Sequence, residues 1–128
     1  MNRWRDWWAQ AERDLGHAEH ALEDGDFEWA AFAAHQAAEK GLKALILAAG
    51  GEPWGHSLTL LVEALPASAA SAPEVSAAAH RLDKHYIPAR YPNGLAAGYP
   101  GKLYTADEAR EAIAHARAIL DACRRGLP

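Results

Sequence analysis

Apolar residues in this chain recur at alternating steps of three and four, in runs that stop at glycine and proline. This punctuated 3.6-residue period is the strongest constraint on what the chain can fold into. Trp4, Trp8, Ala11, Leu15, Ala18 and Leu22 form the first run and turn one side of a helix inward, with Arg5, Glu12, Glu19 and Glu23 opposite. Asp24-Gly25-Asp26 ends it: the glycine tolerates the reversal, and Asp26 is placed to cap the next helix by accepting from its unpaired amides. A second helix is predicted from about Phe27 to Ala49, with Phe27, Ala31, Ala34, Ala38, Leu42, Leu45 and Ala49 inward. Its small side chains let a neighbouring helix approach closely, which marks it as the central helix or one at a subunit contact. Gly50-Gly51 and Pro53 stop it.

Ser57 is predicted to cap a short third helix through Leu65, packed by Leu58, Leu61, Val62 and Leu65 and closed by Pro66. Ser71 and Glu74 read as a capping box with Pro73 in the first turn, opening a fourth helix. Its inward line is Val75, Ala78, Leu82 and Tyr86, and it ends before Pro88. From Pro88 to Leu103 the residues Pro88, Pro92, Gly94, Gly98, Pro100 and Gly101 oppose helix and central strand alike. Connections of about four to six residues are usual, so this segment is either a functional loop or a wrap over the bundle end held by Tyr91, Tyr99 and Tyr104. Thr105 and Glu108 form a second capping box, and Ala109, Ile113, Ala116, Leu120 and Cys123 face inward on the last helix. A chain of 128 residues needs only one core. The expected fold is a single all-α domain over residues 1–128, an antiparallel up-and-down four-helix bundle with one additional short helix.

The formal net charge of -4 excludes a broad cationic groove for nucleic acid but leaves room for a local basic patch. Cys123 is the single cysteine, cannot form an internal bridge, and reads as a small buried hydrophobe on the last helix. The first residues mix tryptophans with charges rather than forming the apolar core of a signal peptide. The most apolar stretch, residues 30–49, is interrupted by His35, Gln36, Glu39, Lys40 and Lys43. A cytoplasmic protein without a membrane partner is expected. Of the five tryptophans, Trp7 and Trp29 fall beside the inward lines, and exposed together they would mark a contact between two copies of the chain.

The densest polar run is His80-Arg81-Leu82-Asp83-Lys84-His85-Tyr86, followed by Arg90-Tyr91-Pro92-Asn93-Gly94. Arg81 and His85, four apart, can share one helix face. Such a pair suits RNA cleavage, with histidine moving the proton of a ribose hydroxyl or leaving oxygen and arginine stabilising phosphate charge. The same spacing also describes an ordinary solvated face. Arg90 can offer paired donors to a phosphate, with Tyr91 packing on a base and Asn93 hydrogen bonding, and Lys40, Lys43 and Lys102 could enlarge the positive site. The alternative makes Arg90 a clamp on a carboxylate or loop carbonyl and Asn93-Gly94 a simple turn. The seven histidines include His17 and His20 on one face and His35 beside Glu39 on another, but neither pair supplies the ligand set of a zinc site, and no metal is expected. No phosphate-binding loop or dinucleotide fingerprint is present, so no cofactor is expected.

The run His35-Gln36-Ala37-Ala38-Glu39-Lys40-Gly41-Leu42-Lys43-Ala44-Leu45, then His56-Ser57-Leu58, Leu82-Asp83, and Tyr86 through Arg90-Tyr91-Pro92-Asn93, resembles the HEPN family of helical domains. The resemblance covers nearly the whole chain. It implies an up-and-down bundle, commonly a homodimer, and in prokaryotes often the nucleotide-binding helical partner of a small nucleotidyltransferase in a toxin–antitoxin pair. Members that are RNases use an arginine and a histidine separated by four to six residues, whereas Arg81 and His85 here are separated by three. Three functions follow as expectations: a nucleotide-binding subunit using Lys40, Lys43, Arg90, Tyr91 and Asn93; a metal-independent RNase toxin using Arg81 and His85; or a non-catalytic interaction bundle.

Overall fold

A computed structural model describes residues 2–66 and 73–128, and among them every regular element is helical. Helix α1 spans Trp4–Glu23 and α2 spans Phe27–Ala48. The reversal between them is set by Gly25, whose φ of 82° lies in the left-handed region. There the Gly25 N–H donates to the Leu22 carbonyl at 3.1 Å and the Asp26 N–H to the Ala21 carbonyl at 2.8 Å, the paired bonds that satisfy the last carbonyls of a helix. The predicted side-chain cap from Asp26 is not formed. Its backbone is committed to closing α1, and its φ and ψ of -90° and 69° are not the extended values of a capping residue. The end of α2 repeats the device at Gly50 and Gly51, which donate to Leu47 and Ile46 at 2.9 Å each.

Helix α2 is the central element and packs against α1 on one side and the last helix on another. Its alanines at 30, 31, 33, 34, 37 and 38 are all buried, so partners lie on both sides rather than along one stripe. Ala49, expected inward, is the exposed cap residue. Helix α3 is short, Leu58–Glu63, and the Ser57 hydroxyl accepts from the Leu60 N–H at 3.2 Å as predicted. Helix α4 spans Pro73–Asp83; the Ser71 half of the predicted capping box lies outside the described residues.

α4 ends earlier than its apolar line suggests. Beyond Asp83 the chain tightens into successive i to i+3 turns, with His85 N–H on Leu82 O at 3.0 Å and Arg90 N–H on Ile87 O at 3.0 Å. Pro88 is the physical cause, because it has no N–H for the Lys84 carbonyl and its ring crowds that oxygen. Residues 88 to 103 are not a plain loop: they contain a 3₁₀ turn at Pro92–Gly94 and a single-turn helix α5 at Pro100–Leu103, whose buried Pro100 occupies the first helical position. Helix α6, Ala106–Gly126, opens with the predicted capping box, in which Thr105 Oγ1 accepts from Glu108 N–H and Glu108 Oε1 accepts from Thr105 N–H. Ala109, Ile113, Ala116, Leu120 and Cys123 are all buried, and burial pushes the Cys123 thiol up to about 12, as expected of an inert core residue. The four long helices α1, α2, α4 and α6 make the bundle, and no helix among the described residues is long and apolar enough to cross a membrane.

Two helical glycines separate propensity from packing. Gly16 in α1 has open space where a Cβ would stand, whereas a Cβ on Gly41 in α2 would collide with the buried Leu120 side chain and touch Trp8 at 3.5 Å. Gly16→Ala should therefore raise stability by up to about 1 kcal/mol, the propensity difference alone. Gly41→Ala should lower it by about 1 kcal/mol, because overpacking costs of about 1–3 kcal/mol exceed that gain. Urea unfolding midpoints of the two variants should move in opposite directions.

Candidate functional site

The only polar side chains counted among the buried described residues are His35, Glu39 and Lys43, all on α2 and four residues apart, so they form one stripe along the helix. Burying charge is costly unless each group finds partners. Lys43 Nζ donates to Glu39 Oε2 at 3.2 Å and stands 5.5 Å from the centre of the Trp7 ring. The other Glu39 oxygen is 3.0 Å from His56 Nδ1, on the segment that leads into α3. His35 Nδ1 is 3.1 Å from Gln36 Oε1, and its Nε2 is 3.3 Å from Asp83 at the end of α4.

Asp83 gathers the rest. Its carboxylate accepts from the Leu58 N–H at 2.8 Å, the Thr59 N–H at 3.0 Å, the Thr59 hydroxyl at 2.8 Å and the Ser57 hydroxyl at 3.2 Å. It thereby caps the first turn of α3 from another helix. Burial pushes the Asp83 carboxyl up, but the bonds from His35, Thr59 and Leu58 together outweigh burial and hold it well below the usual carboxylate range.

Above this frame lies Tyr86, in the turns after α4. Its ring stacks on His56 with centres 5.0 Å apart and planes 17° apart, and lies 5.1 Å from His35 and 6.2 Å from Phe32. Arg90 covers the same ring at 4.4 Å, Phe32 at 4.6 Å and Tyr91 at 5.0 Å, while its Nε donates to the Tyr86 carbonyl at 2.8 Å. Among the described residues no carboxylate pairs with Arg90. The result is a cation seated on three aromatic rings, with an oriented imidazole across one of them.

The sequence-predicted residues are distributed unevenly around this face. Arg90 and Tyr91 belong to it, and Asn93 is exposed in the 3₁₀ turn that follows. Lys43 lies beneath it, buried and committed to Glu39. Lys40 turns to α1 and pairs with Asp14. Arg81 is exposed on α4 and reaches Glu111 of α6 at 3.4 Å. His85 faces away toward Tyr104, whose hydroxyl is 2.8 Å from its Nδ1; burial pushes His85 down, and burial followed by Glu108 raises Tyr104 to about 12. Arg81 and His85 thus take different partners, and neither contacts the Tyr86 face. Trp7 lies under Lys43, so it does not join the half-exposed Trp29, which packs edge-on against Phe32.

Sequence reasoning misses four members of the cluster. Periodicity places Tyr86 on the inward line of α4, spacing sets Glu39 only beside His35 as an incomplete metal pair, and His56 and Asp83 carry no assigned role. The available signal is the four-residue spacing of His35, Glu39 and Lys43, which puts three ionisable groups on one stripe of an otherwise alanine-rich helix.

The HEPN domain family profile matches residues 4–126. Among solved structures, the chain is similar to TT1696 from Thermus thermophilus, with 46% identity, a TM-score of 0.96, and coverage of 99% of this chain and 100% of that one. It is also similar to ST0689, an archaeal HEPN homologue, with 38% identity, a TM-score of 0.82 and 98% of each chain covered. A third similar structure is an HEPN domain protein (tm0613) from Thermotoga maritima, with 32% identity, a TM-score of 0.76, and 94% and 95% coverage. No functionally curated protein matches.

Because the folded-state pKa of Asp83 is depressed, its contribution to stability is present above the unfolded carboxylate value of about 4 and is lost as pH falls from there toward the folded value. Asp83→Asn should cost about 2–3 kcal/mol at neutral pH, since it leaves donors of α3 poorly matched. It should also flatten the acid side of the stability profile. Unfolding midpoints at pH 7 and pH 3 check both; a variant as acid-sensitive as the parent would assign the effect to another group.

Proposed function

The chain belongs to the HEPN domain family, and from that membership together with the Tyr86 face we propose that it is a helical subunit binding phosphate-bearing ligands of the nucleotide or RNA class. The observation that carries this reading is Arg90: a guanidinium stacked on three rings, anchored through Nε, and without a carboxylate partner among the described residues. Its other nitrogens retain the fork geometry that matches phosphate oxygens. The surrounding Phe32, Tyr86 and Tyr91 rings offer stacking surfaces of the kind on which bases pack, irrespective of sequence. The chain's net charge of -4 makes this a local receptor rather than part of a long cationic track.

The same reading includes homodimerisation and a small nucleotidyltransferase partner. Exposed apolar area supports such contacts: Trp29 is 50% and Trp54 86% exposed. An RNase built on Arg81 and His85 receives less support, since Arg81 is paired with Glu111 and His85 with Tyr104.

Fluorescence anisotropy with labelled ATP and with a labelled single-stranded RNA tests the proposal. Binding should be detectable for the wild type and should weaken roughly tenfold to a hundredfold in Arg90→Ala, the loss of one charge-assisted contact of about 1.5–3 kcal/mol. Arg90→Lys should recover little, because the single nitrogen of lysine cannot hold the Tyr86 carbonyl and also present a two-nitrogen fork to phosphate. An Arg90→Ala protein with an unchanged circular dichroism spectrum and wild-type affinity would remove Arg90 from the site.

A further inference from the structure

We propose that the turn before α3 and the outer side of α3 form a docking surface for a basic amphipathic segment of another protein. The segment inserts an apolar side chain between Trp54 and Leu60 and sets a lysine or arginine against Glu52. These three residues belong to neither the Tyr86 face nor the bundle core, so the inference stands apart from the Arg90 reading. Trp54 is thereby assigned to a foreign chain, which leaves Trp29 for contact between copies.

Trp54 and Leu60 are the two most exposed large apolar side chains among the described residues, at 86% and 64%. A single exposed hydrophobe is ordinary, but these two line one cavity of about 270 Å³, with Pro53 and Ala64 in its wall and the buried Leu61 beneath. Small-molecule sites run from about 300 to 1,000 Å³, so this smaller cavity suits one inserted side chain. The display is also rigid. Gly55 turns the chain directly after Trp54, with a φ of 86° in the left-handed region. The next two residues are anchored: His56 Nδ1 lies 3.0 Å from buried Glu39, and the Ser57 hydroxyl donates to Asp83 and accepts from the Leu60 N–H, each at 3.2 Å. Trp54 and Leu60 are thus held in place before a partner arrives, which lowers the ordering cost of binding.

Charge selects the occupant. Glu52 lines the cavity, and Glu63 stands one helical turn beyond Leu60 on α3; both are exposed, and neither has an ionic partner among the described residues. No lysine or arginine lines the cavity. Glu63 also edges the groove between α3 and α4 that holds His80, Arg81 and Lys84, so Glu52 carries the larger share of any attraction. Carboxylates at the rim repel the phosphates of a nucleic acid and of an anionic membrane surface alike. A second copy docking through the same patch about a two-fold axis would bring these carboxylates into an interface with their own counterparts. Residues 67–72, which follow α3 in the chain, are alanine and serine only and offer neither a cation nor a bulky anchor. The remaining occupant is a foreign segment with a cation beside a large apolar residue, the pattern along one edge of a basic amphipathic helix.

The test uses the full chain and a fluorescein-labelled synthetic peptide carrying leucine and lysine at helical spacing, read by anisotropy. Its controls are a peptide of the same composition in scrambled order and one with glutamate in place of lysine. The wild type should bind the basic amphipathic peptide and hold both controls at least about tenfold more weakly. Trp54→Ser and Leu60→Ser should each weaken binding about tenfold or more, as anchor residues do, with the thermal unfolding midpoint unchanged because both side chains are exposed. Glu52→Lys should weaken it about threefold to tenfold, and wild-type affinity should fall as salt rises. Arg90→Ala should leave peptide binding unchanged, which keeps the result separate from the ligand site. A wild type that binds no peptide or fails to distinguish the three overturns the inference, as does wild-type affinity in Trp54→Ser. It is overturned too if Trp54→Ser converts a peptide-free dimer to monomer, lowers affinity for RNA, or abolishes flotation with phosphatidylserine vesicles; these outcomes give the patch to a second copy, a nucleic acid or a membrane.

Discussion

The carboxylate of Asp83 is the contact on which the arrangement of the site depends. It sits at the end of α4, caps the first turn of α3, and meets His35 in the centre of α2. Three elements are therefore referenced to one charged group. A short helix such as α3, with six residues, has little stability of its own, because nucleation costs more than so few hydrogen bonds return. Its position is imposed by the apolar contacts of Leu58, Leu61 and Val62 below and by Asp83 at its start. Since His56 lies immediately before α3, the same carboxylate also determines where the imidazole can stand over Tyr86.

The second determinant is the failure of α4 to continue. An uninterrupted helix would carry Tyr86 and Arg90 onward along its own axis. Pro88 forces the turns that bring the Tyr86 ring over His35 and His56, and Arg90 then folds back with its Nε on the Tyr86 carbonyl. Backbone chemistry and site chemistry meet at this point: the residue that breaks the helix is the reason the cation reaches the aromatic rings.

Much of the bundle is legible in the sequence because it follows from local rules. Turns at Gly25 and Gly50, the caps at Ser57 and Thr105, and the inward line of α6 each depend on a few neighbouring residues, and these appear as read. The fate of Asp26 is illegible because the same backbone is engaged in ending α1. The early end of α4 is illegible because Tyr86 fits an apolar line whether it continues a helix or sits in the turns beyond it. The site suffers most: it is assembled from α2, the His56 segment, Asp83 and the Tyr86–Arg90 turns, whose juxtaposition no spacing along the chain encodes. Arg90 and Tyr91 can be picked out by their own chemistry, whereas His56 becomes informative only once Glu39 is seen beside it.

The buried stripe on α2 also distinguishes stability from chemistry. A core built only for stability would place apolar residues at 35, 39 and 43, as α2 does at 34, 38, 42 and 45. Desolvating ionic groups is expensive, and apolar replacements of similar volume are often equally stable or more so. The three polar residues instead satisfy one another only partly: Glu39 turns its second oxygen outward to His56, and His35 turns its second nitrogen to Asp83. Two of the bonds leaving the stripe end at groups near the Tyr86 ring, His56 and Asp83, while His35 Nδ1 turns to Gln36 and Lys43 stands over Trp7. A stripe needed for packing alone has no reason to link buried Glu39 and His35 to His56 and Asp83, the groups around the Tyr86 face, and those two links are the physical ground for looking for function there.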